Sequence, residues 1–310
     1  MFVKKTKDLQ EREAIIVSGA GPFSLSDTLE CGQAFRYELI SQEGGGAEYM
    51  TVAFGKIIRI RQENGNILFY GLTEDDVKTV CLPYFSLDTD YRVIKEDILS
   101  KSKLPKLEEA ALAAEGIRIL RQDPWETLFS FIVSQNNNIP RIRKIIRSIA
   151  AEYGENLAEG LKECPKGMGK PNEEMCKSCG ICYTFPTPEN ILDRPEGLLP
   201  SKPGFRYKYL IDAAEKVANN EINLKNIKDT GSYEYTMSEL KKIKGVGDKV
   251  ASCVALFGFG NLEAFPIDVW MRRANEEYFD GKLDPATLGK YAGIAQQYIF
   301  HYIRNLDKNR

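Results

Sequence analysis

Histidine is nearly absent: His301 is the single one in 310 residues. A Ser–His–Asp triad, a histidine-rich metal site or a histidine acid–base pair would have to use that residue, and its place on a C-terminal helical run is accounted for by packing or surface exposure. Lysine, carboxylate and cysteine chemistry remain. Long apolar runs are missing too. Met1 to Asp8 runs straight into charge without an apolar signal core, and no segment reaches the roughly 20 apolar residues of a membrane helix. A cytoplasmic protein is expected, nucleoid-associated in a prokaryote. Net charge is scarce: 42 Lys plus Arg against 44 Asp plus Glu leave −2, which alone does not mark a polyanion binder. The 43% hydrophobic and 28% charged content excludes disordered and fibrous classes. The length suits about two domains.

The first hundred residues are rich in β-formers. Ala14–Val17, Ala34–Ile40, Tyr49–Phe54 and Lys56–Arg61 read as strands separated by Gly44-Gly45-Gly46, Gly55 and Asn64-Gly65-Asn66, which predicts an antiparallel sheet. Thr73-Glu74-Asp75-Asp76 reads as a capped helix start. From about residue 90 the apolar period becomes helical. Ile139, Ile142, Ile145, Ile146 and Ile149 mark one face of a helix whose remainder carries Arg141, Arg143, Lys144 and Arg147, a cationic surface. Trp125, Leu128, Phe129, Ile132 and Val133 define the preceding helix, with Asp123-Pro124 at its start. A long C-terminal helix is predicted through Leu288, Tyr291, Ala292, Ala295, Ile299, Tyr302 and Ile303. The fold class is α+β: an antiparallel sheet domain over 1–100, then a mostly helical region over 101–310.

The chemistry concentrates between residues 240 and 273, where six basic residues meet three acidic ones. Lys241-Lys242-Ile243-Lys244 leads into Gly245-Val246-Gly247, and a second helix begins at once. Two glycines around an apolar residue permit a tight hairpin, and the N–H groups opening the next helix suit a phosphate. Lys249 sits two positions past the second glycine. Asp268 follows nineteen residues later in Phe265-Pro266-Ile267-Asp268, at an N-cap position. Singly, Lys249 is a surface lysine and Asp268 a cap.

Together the hairpin, the lysine and the Pro-x-Asp resemble the helix-hairpin-helix glycosylase superfamily, whose bifunctional members carry such a lysine. Leu120-Arg121-Gln122-Asp123-Pro124-Trp125-Glu126, Phe129-Ser130-Phe131-Ile132, Asn136-Asn137-Asn138 and Cys31-Gly32-Gln33-Ala34-Phe35-Arg36 resemble the 8-oxoguanine DNA glycosylase/AP lyase family, from about residue 14 to the final helix. The resemblance implies a helix-hairpin-helix (HhH-GPD) catalytic fold and a bifunctional repair enzyme acting as a monomer. It would excise 8-oxoguanine, preferably opposite cytosine, from double-stranded DNA and nick the strand by β-elimination. It assigns Lys249 as nucleophile and Schiff-base former and Asp268 as its electrostatic partner. Gly32, Cys253, Gln296 and Phe300 match lesion-binding positions. Asn136, Arg141 and Arg206 match readers of the opposite base, and Phe205 stands where family members carry a wedging tyrosine. Gly245, Val246 and Gly247 are the phosphate-binding hairpin. Trp270 departs from a histidine common in eukaryotic members.

Elementary chemistry supports the pair. Base departure leaves positive charge on the sugar, which a carboxylate stabilises. A neutral amine attacks the same carbon, and the nearby cations Lys244 and Arg272 are expected to favour that form. Two other readings use the same residues: a glycosylase for another damaged base such as an alkylated purine, and a non-catalytic DNA-binding module. The second needs neither Lys249 nor Asp268.

Seven cysteines without a secretory signal are expected to be reduced. Cys31, Cys81 and Cys253 stand apart, whereas Cys164-x11-Cys176-x2-Cys179-x2-Cys182 crowds a loop-like stretch at about 160–186. It lies outside the family pattern and reads as an insertion. Two-residue spacers let thiolates converge on a metal, zinc ahead of iron–sulfur. The excision chemistry itself requires no cofactor.

Overall fold

The computed structural model describes residues 1–308 apart from Leu9, Lys103, Pro165, Gly167 and Met168. The part of the cysteine loop read from those last three residues lies outside the described residues. Six strands form one antiparallel sheet in the order β1-β2-β6-β5-β4-β3: β1 Phe2–Lys7, β2 Glu13–Ser18, β3 Tyr37–Ser41, β4 Ala47–Ala53, β5 Lys56–Glu63 and β6 Asn66–Tyr70. Two hairpins follow from local sequence. Phe54-Gly55 and Asn64-Gly65 each take positive φ at both residues, as a two-residue turn matching strand twist requires. They set Ala53 opposite Lys56 and Glu63 opposite Asn66.

Sequence patterning missed two strands. β1 is a lysine-rich edge strand with little apolar alternation, consistent with charge protecting a sheet edge. In β6 Ile67, Leu68, Phe69 and Tyr70 are all buried, so alternation is lost because both faces are covered.

Helices follow in three groups: α1 Leu25–Glu30, α2 Glu74–Asp76 and α3 Leu82–Tyr84 beside the sheet. Then come α4 Tyr91–Lys101, α5 Pro105–Ala113, α6 Pro124–Ser134, α7 Ile139–Tyr153, α8 Glu173–Cys179 and α9 Pro188–Asp193. The last are α10 Tyr207–Ala218, α11 Leu224–Thr230, α12 Tyr233–Leu240, α13 Asp248–Val254, α14 Val269–Phe279 and α15 Ala292–Lys308. Thr73 closes a capping box with Asp76, and Asp123 caps α6 with Pro124 in its first turn. The predicted C-terminal helix is shorter. Gly289 turns to φ +66, so Leu288 and Tyr291 belong to a separate 3-10 turn ahead of α15.

The strand read from Ala34 begins only at Tyr37, because the residues just before it are held by partners outside the sheet ladder. Buried Gln33 donates to Thr28 O at 2.8 Å and Arg118 O at 2.7 Å and accepts from Leu120 N–H at 2.8 Å. Cys31 and Phe35 lie in the helical core. Leu82, Phe85, Leu87 and Leu120 lie in the sheet core, while Tyr91, Ile94 and Ile98 already belong to the helical one. The two cores therefore interlock rather than meet at residue 100.

Arg36 crosses the seam. Its guanidinium grips Glu126 through two bonds of 2.6 and 2.7 Å and donates to Tyr183 O at 2.5 Å. The cationic face of α7 is partly used in the same way. Arg143 lies over the Tyr37 ring and donates to Tyr37 O at 2.5 Å, and Arg147 reaches Glu38 at 2.5 Å. Only Arg141 and Lys144 of the four turn fully outward. Removing Arg36 leaves the Glu126 carboxylate without its partner. Arg36→Met is expected to lower unfolding free energy by about 2–3 kcal/mol, discounted because Glu126 is partly solvated, and urea denaturation measures it.

Candidate active site

The helix-hairpin-helix is α12, the turn Lys241–Gly247, and α13. Val246 N–H donates to Ile243 O at 3.1 Å, closing the hairpin. Ile243 and Val246 are buried under it while Gly245 and Gly247 face solvent. Gly245 has φ +78, and a Cβ there would stand 2.6 Å from Cε2 of the Tyr209 ring. Only glycine satisfies both demands. Asp212 of α10 fixes the turn from behind, accepting from Lys244 N–H at 2.8 Å and pairing with its ammonium at 3.3 Å. Lys244 is thereby turned toward Asp212 rather than acting as the cation beside Lys249, and Arg272 is exposed. Gly245→Ala is expected to weaken binding of undamaged duplex at least tenfold with a cooperative fold retained. Fluorescence anisotropy and thermal unfolding check the two halves.

Lys249 is the second residue of α13, half-buried. Its ammonium stands 5.3 Å from the centre of the Phe131 ring, which stacks on Phe257 at 5.5 Å and meets Phe35 edge-on at 5.6 Å. The Cys253 thiol lies one turn further along the same helix, buried. Asp268 is the N-cap of α14 and accepts from Met271 N–H at 2.9 Å, so the carboxylate sits at the positive end of that helix. Burial pushes the Cys253 thiol up to about 11; Lys249 pulls it down and Asp268 pushes it further up. Both charges are therefore felt at one sulfur, and the predicted catalytic pair shares one locality. Around Asp268 the surface is apolar and exposed: Ile267, Val269 and Trp270, with Arg273 over the Trp270 ring at 5.6 Å.

The lesion-binding candidates are closed in on themselves. Cys253 and Gln296 are only 4% and 3% exposed. Gln296 Oε1 accepts from Gln297 Nε2 at 2.7 Å. Gly32 has φ +86 and faces the Ile139 side chain. Phe300 is half-buried, with the Arg304 guanidinium 5.3 Å from its ring centre. Beside them opens a cavity of about 240 Å³ walled by Asp27, Cys31, Tyr37, Ile139, His301 and Arg304 among others. Sequence reasoning missed Arg304, although it follows Phe300 by one helical turn. His301, half-buried as a packing or surface residue is, borders this cavity with Nε2 2.8 Å from Asn305 Nδ2.

The opposite-base candidates cluster at the α6–α7 turn. Asn136 is exposed in the left-handed region at φ +47, and Asn138 caps α7 by accepting from Arg141 N–H. Arg141 is exposed. Arg206 is buried and committed to backbone: it donates to Gln135 O at 2.8 Å, Asn136 O at 2.8 Å and Pro203 O at 3.0 Å. It thereby holds the Asn136 turn. Phe205 beside it is 51% exposed, shaped as an apolar wedge.

Comparison with known proteins shows the family. A family described as 8-oxoguanine DNA glycosylase, N-terminal domain, matches residues 15–128, running past residue 100 as the interlocked cores do. An N-glycosylase/DNA lyase of Saccharomyces cerevisiae is 31% identical over 82% of this chain and 68% of its own length. The Clostridium acetobutylicum 8-oxoguanine glycosylase/lyase, solved with duplex DNA containing cytosine opposite 8-oxoguanine, is 33% identical. It superposes with a TM-score of 0.82 over 99% of both chains. A 3-methyladenine DNA glycosylase of Archaeoglobus fulgidus, 18% identical at a TM-score of 0.67 over 94% of this chain and 98% of its own, shares the fold alone. The chain belongs to the family of 8-oxoguanine DNA glycosylases with lyase activity.

Proposed function

We propose that this chain excises 8-oxoguanine paired with cytosine from duplex DNA, with Lys249 as nucleophile and Asp268 as the charge that stabilises the opening sugar. The observation that carries the reading is Lys249 in the first turn of the hairpin helix with its ammonium over the Phe131 ring, and Asp268 capping α14. The hairpin's outward N–H groups and exposed glycines receive a backbone phosphate. Phe205 enters the gap left by the flipped nucleotide, and Asn136 and Arg141 meet the orphaned cytosine, for whose edge arginine's fork is suited.

At the sugar, the base leaves with the glycosidic electron pair while positive charge grows at C1′ opposite the Asp268 carboxylate. The Lys249 amine forms the new bond to C1′ and releases a proton. Ring opening gives the Schiff base, and loss of a C2′ proton expels the 3′ phosphate. The lesion pocket opens only if the Gln296–Gln297 bond is exchanged for bonds to the base, with Phe300 moving against the ring face. Cys253 and Gly32 then supply the other face and a backbone carbonyl.

The deciding assay offers 8-oxoguanine opposite each of the four bases, with 3-methyladenine duplex as a competitor substrate. Fastest excision opposite cytosine is expected. Equal rates opposite all four bases would remove the opposite-strand assignment, and preference for the alkylated base would remove the lesion assignment.

A further inference from the structure

Four of the seven cysteines, none of them used in the excision chemistry, crowd residues 164–182. Cys164, Cys176, Cys179 and Cys182 line one small, mostly apolar cavity with Met50 of β4, Ala158, Met175 and Lys166, whose ammonium pairs with Glu38. All four are free thiols; three are buried and Cys179 is half-buried.

Local structure explains why they meet. Asn172 caps α8, on which Cys176 and Cys179, three apart, share one face. Gly180 then ends the helix at φ +63, donating to Cys176 O at 2.8 Å. It passes so close to α7 that a Cβ would lie 2.7 Å from Arg147 O. That reversal returns Cys182 to the face it would otherwise leave. On the far side Cys164 N–H donates to Gly169 O at 2.6 Å, and Leu157 N–H donates to Cys182 O at 2.9 Å. The residues buried around the thiols are few: Met50, Ala150, Ala158, Ile181 and Tyr183. A short segment with so small a core usually needs a covalent or metal staple.

Buried thiols also serve as small apolar side chains, and among the described residues no three ligating side chains already stand as a closed metal set. What sets this cluster apart is that four thiols from one stretch of 19 positions, 164 to 182, face a single void. The void is about 10 Å³, on the scale of a single ion.

We propose that Cys164, Cys176, Cys179 and Cys182 bind one zinc ion as thiolates, and that this structural site anchors the segment against α7 and the sheet. Binding moves each sulfur inward to about 2.3 Å from the metal and releases the thiol protons to solvent. The same segment borders a basic groove, lined by Ser178 and Cys179 with Arg143, Lys144 and Arg147.

The test uses the full chain purified without chelator. Elemental analysis is expected to find about one zinc per chain, lost from Cys176→Ser and from Cys179→Ser but kept by Cys81→Ser outside the segment. Should the serine variants fail to fold, the wild-type chain carries the test. Chelator is expected to release its zinc with a fall in Tm that added zinc reverses, and cobalt exchange should give the strong visible bands of tetrahedral thiolate coordination. A chain that stays metal-free with zinc supplied, a disulfide among these cysteines, or iron with inorganic sulfide in place of zinc would overturn the assignment.

Discussion

Lys249→Gln is expected to abolish covalent trapping of the protein on 8-oxoguanine duplex by borohydride and to slow base excision by roughly 10⁴-fold or more, the scale on which removing an essential nucleophile acts. Glutamine is one atom shorter but keeps the polar tip and most of the stem, so contact with the Phe131 face is largely preserved and Tm should move little. The amine is what disappears, and with it the atom that bonds C1′. Affinity for the lesion duplex is expected to stay within about tenfold, since the hairpin and the Asn136 turn carry binding. Trapping that survives the substitution would place the nucleophile elsewhere; a collapse of Tm would show that the lysine serves the fold.

Asp268→Asn separates two roles that one side chain combines. Asparagine caps helices about as well as aspartate, so the bond from Met271 N–H should persist and stability should change by less than about 1 kcal/mol. Only the charge is lost. Excision is expected to fall by about 10²–10³-fold, the range found when one preorganised electrostatic contact to a transition state is removed. Cleavage of a preformed abasic site should fall less, because no base departs and less charge develops on the sugar. Equal losses on both substrates would mean that Asp268 acts on Lys249 rather than on the sugar; Asp268→Ala, which also loses the cap, should add a drop in Tm.

Much of this was legible in the chain because local chemistry dictated it. Asn64-Gly65 demands its turn, Asp123-Pro124 demands a helix start, and Gly245-Val246-Gly247 announces a hairpin wherever it is placed. Lys249 and Asp268 were legible only as a pair within a resemblance, since each alone reads as ordinary. What escaped was decided by distant partners. Ala34-Phe35-Arg36 has strand composition, yet Phe35 is drawn into the helical core and Arg36 to Glu126. Arg206 has the residue type of a base reader, yet three carbonyls occupy it. Nothing near position 206 signals that Gln135 and Asn136 will turn their carbonyls toward it. β6 hid because burial on both faces erased its alternation.

The interlocked cores bear on how the molecule is made. Cys31 and Phe35 emerge early in synthesis, but the ring that Phe35 meets, Phe131, and the ring stacked behind it, Phe257, are translated much later. With elongation at about 5–20 residues per second, the newborn sheet waits many seconds with an apolar strip open to whatever is nearby. A fragment ending near residue 100 should therefore be a sticky intermediate rather than a portable module. The sheet and the helices should be inherited, truncated and lost together.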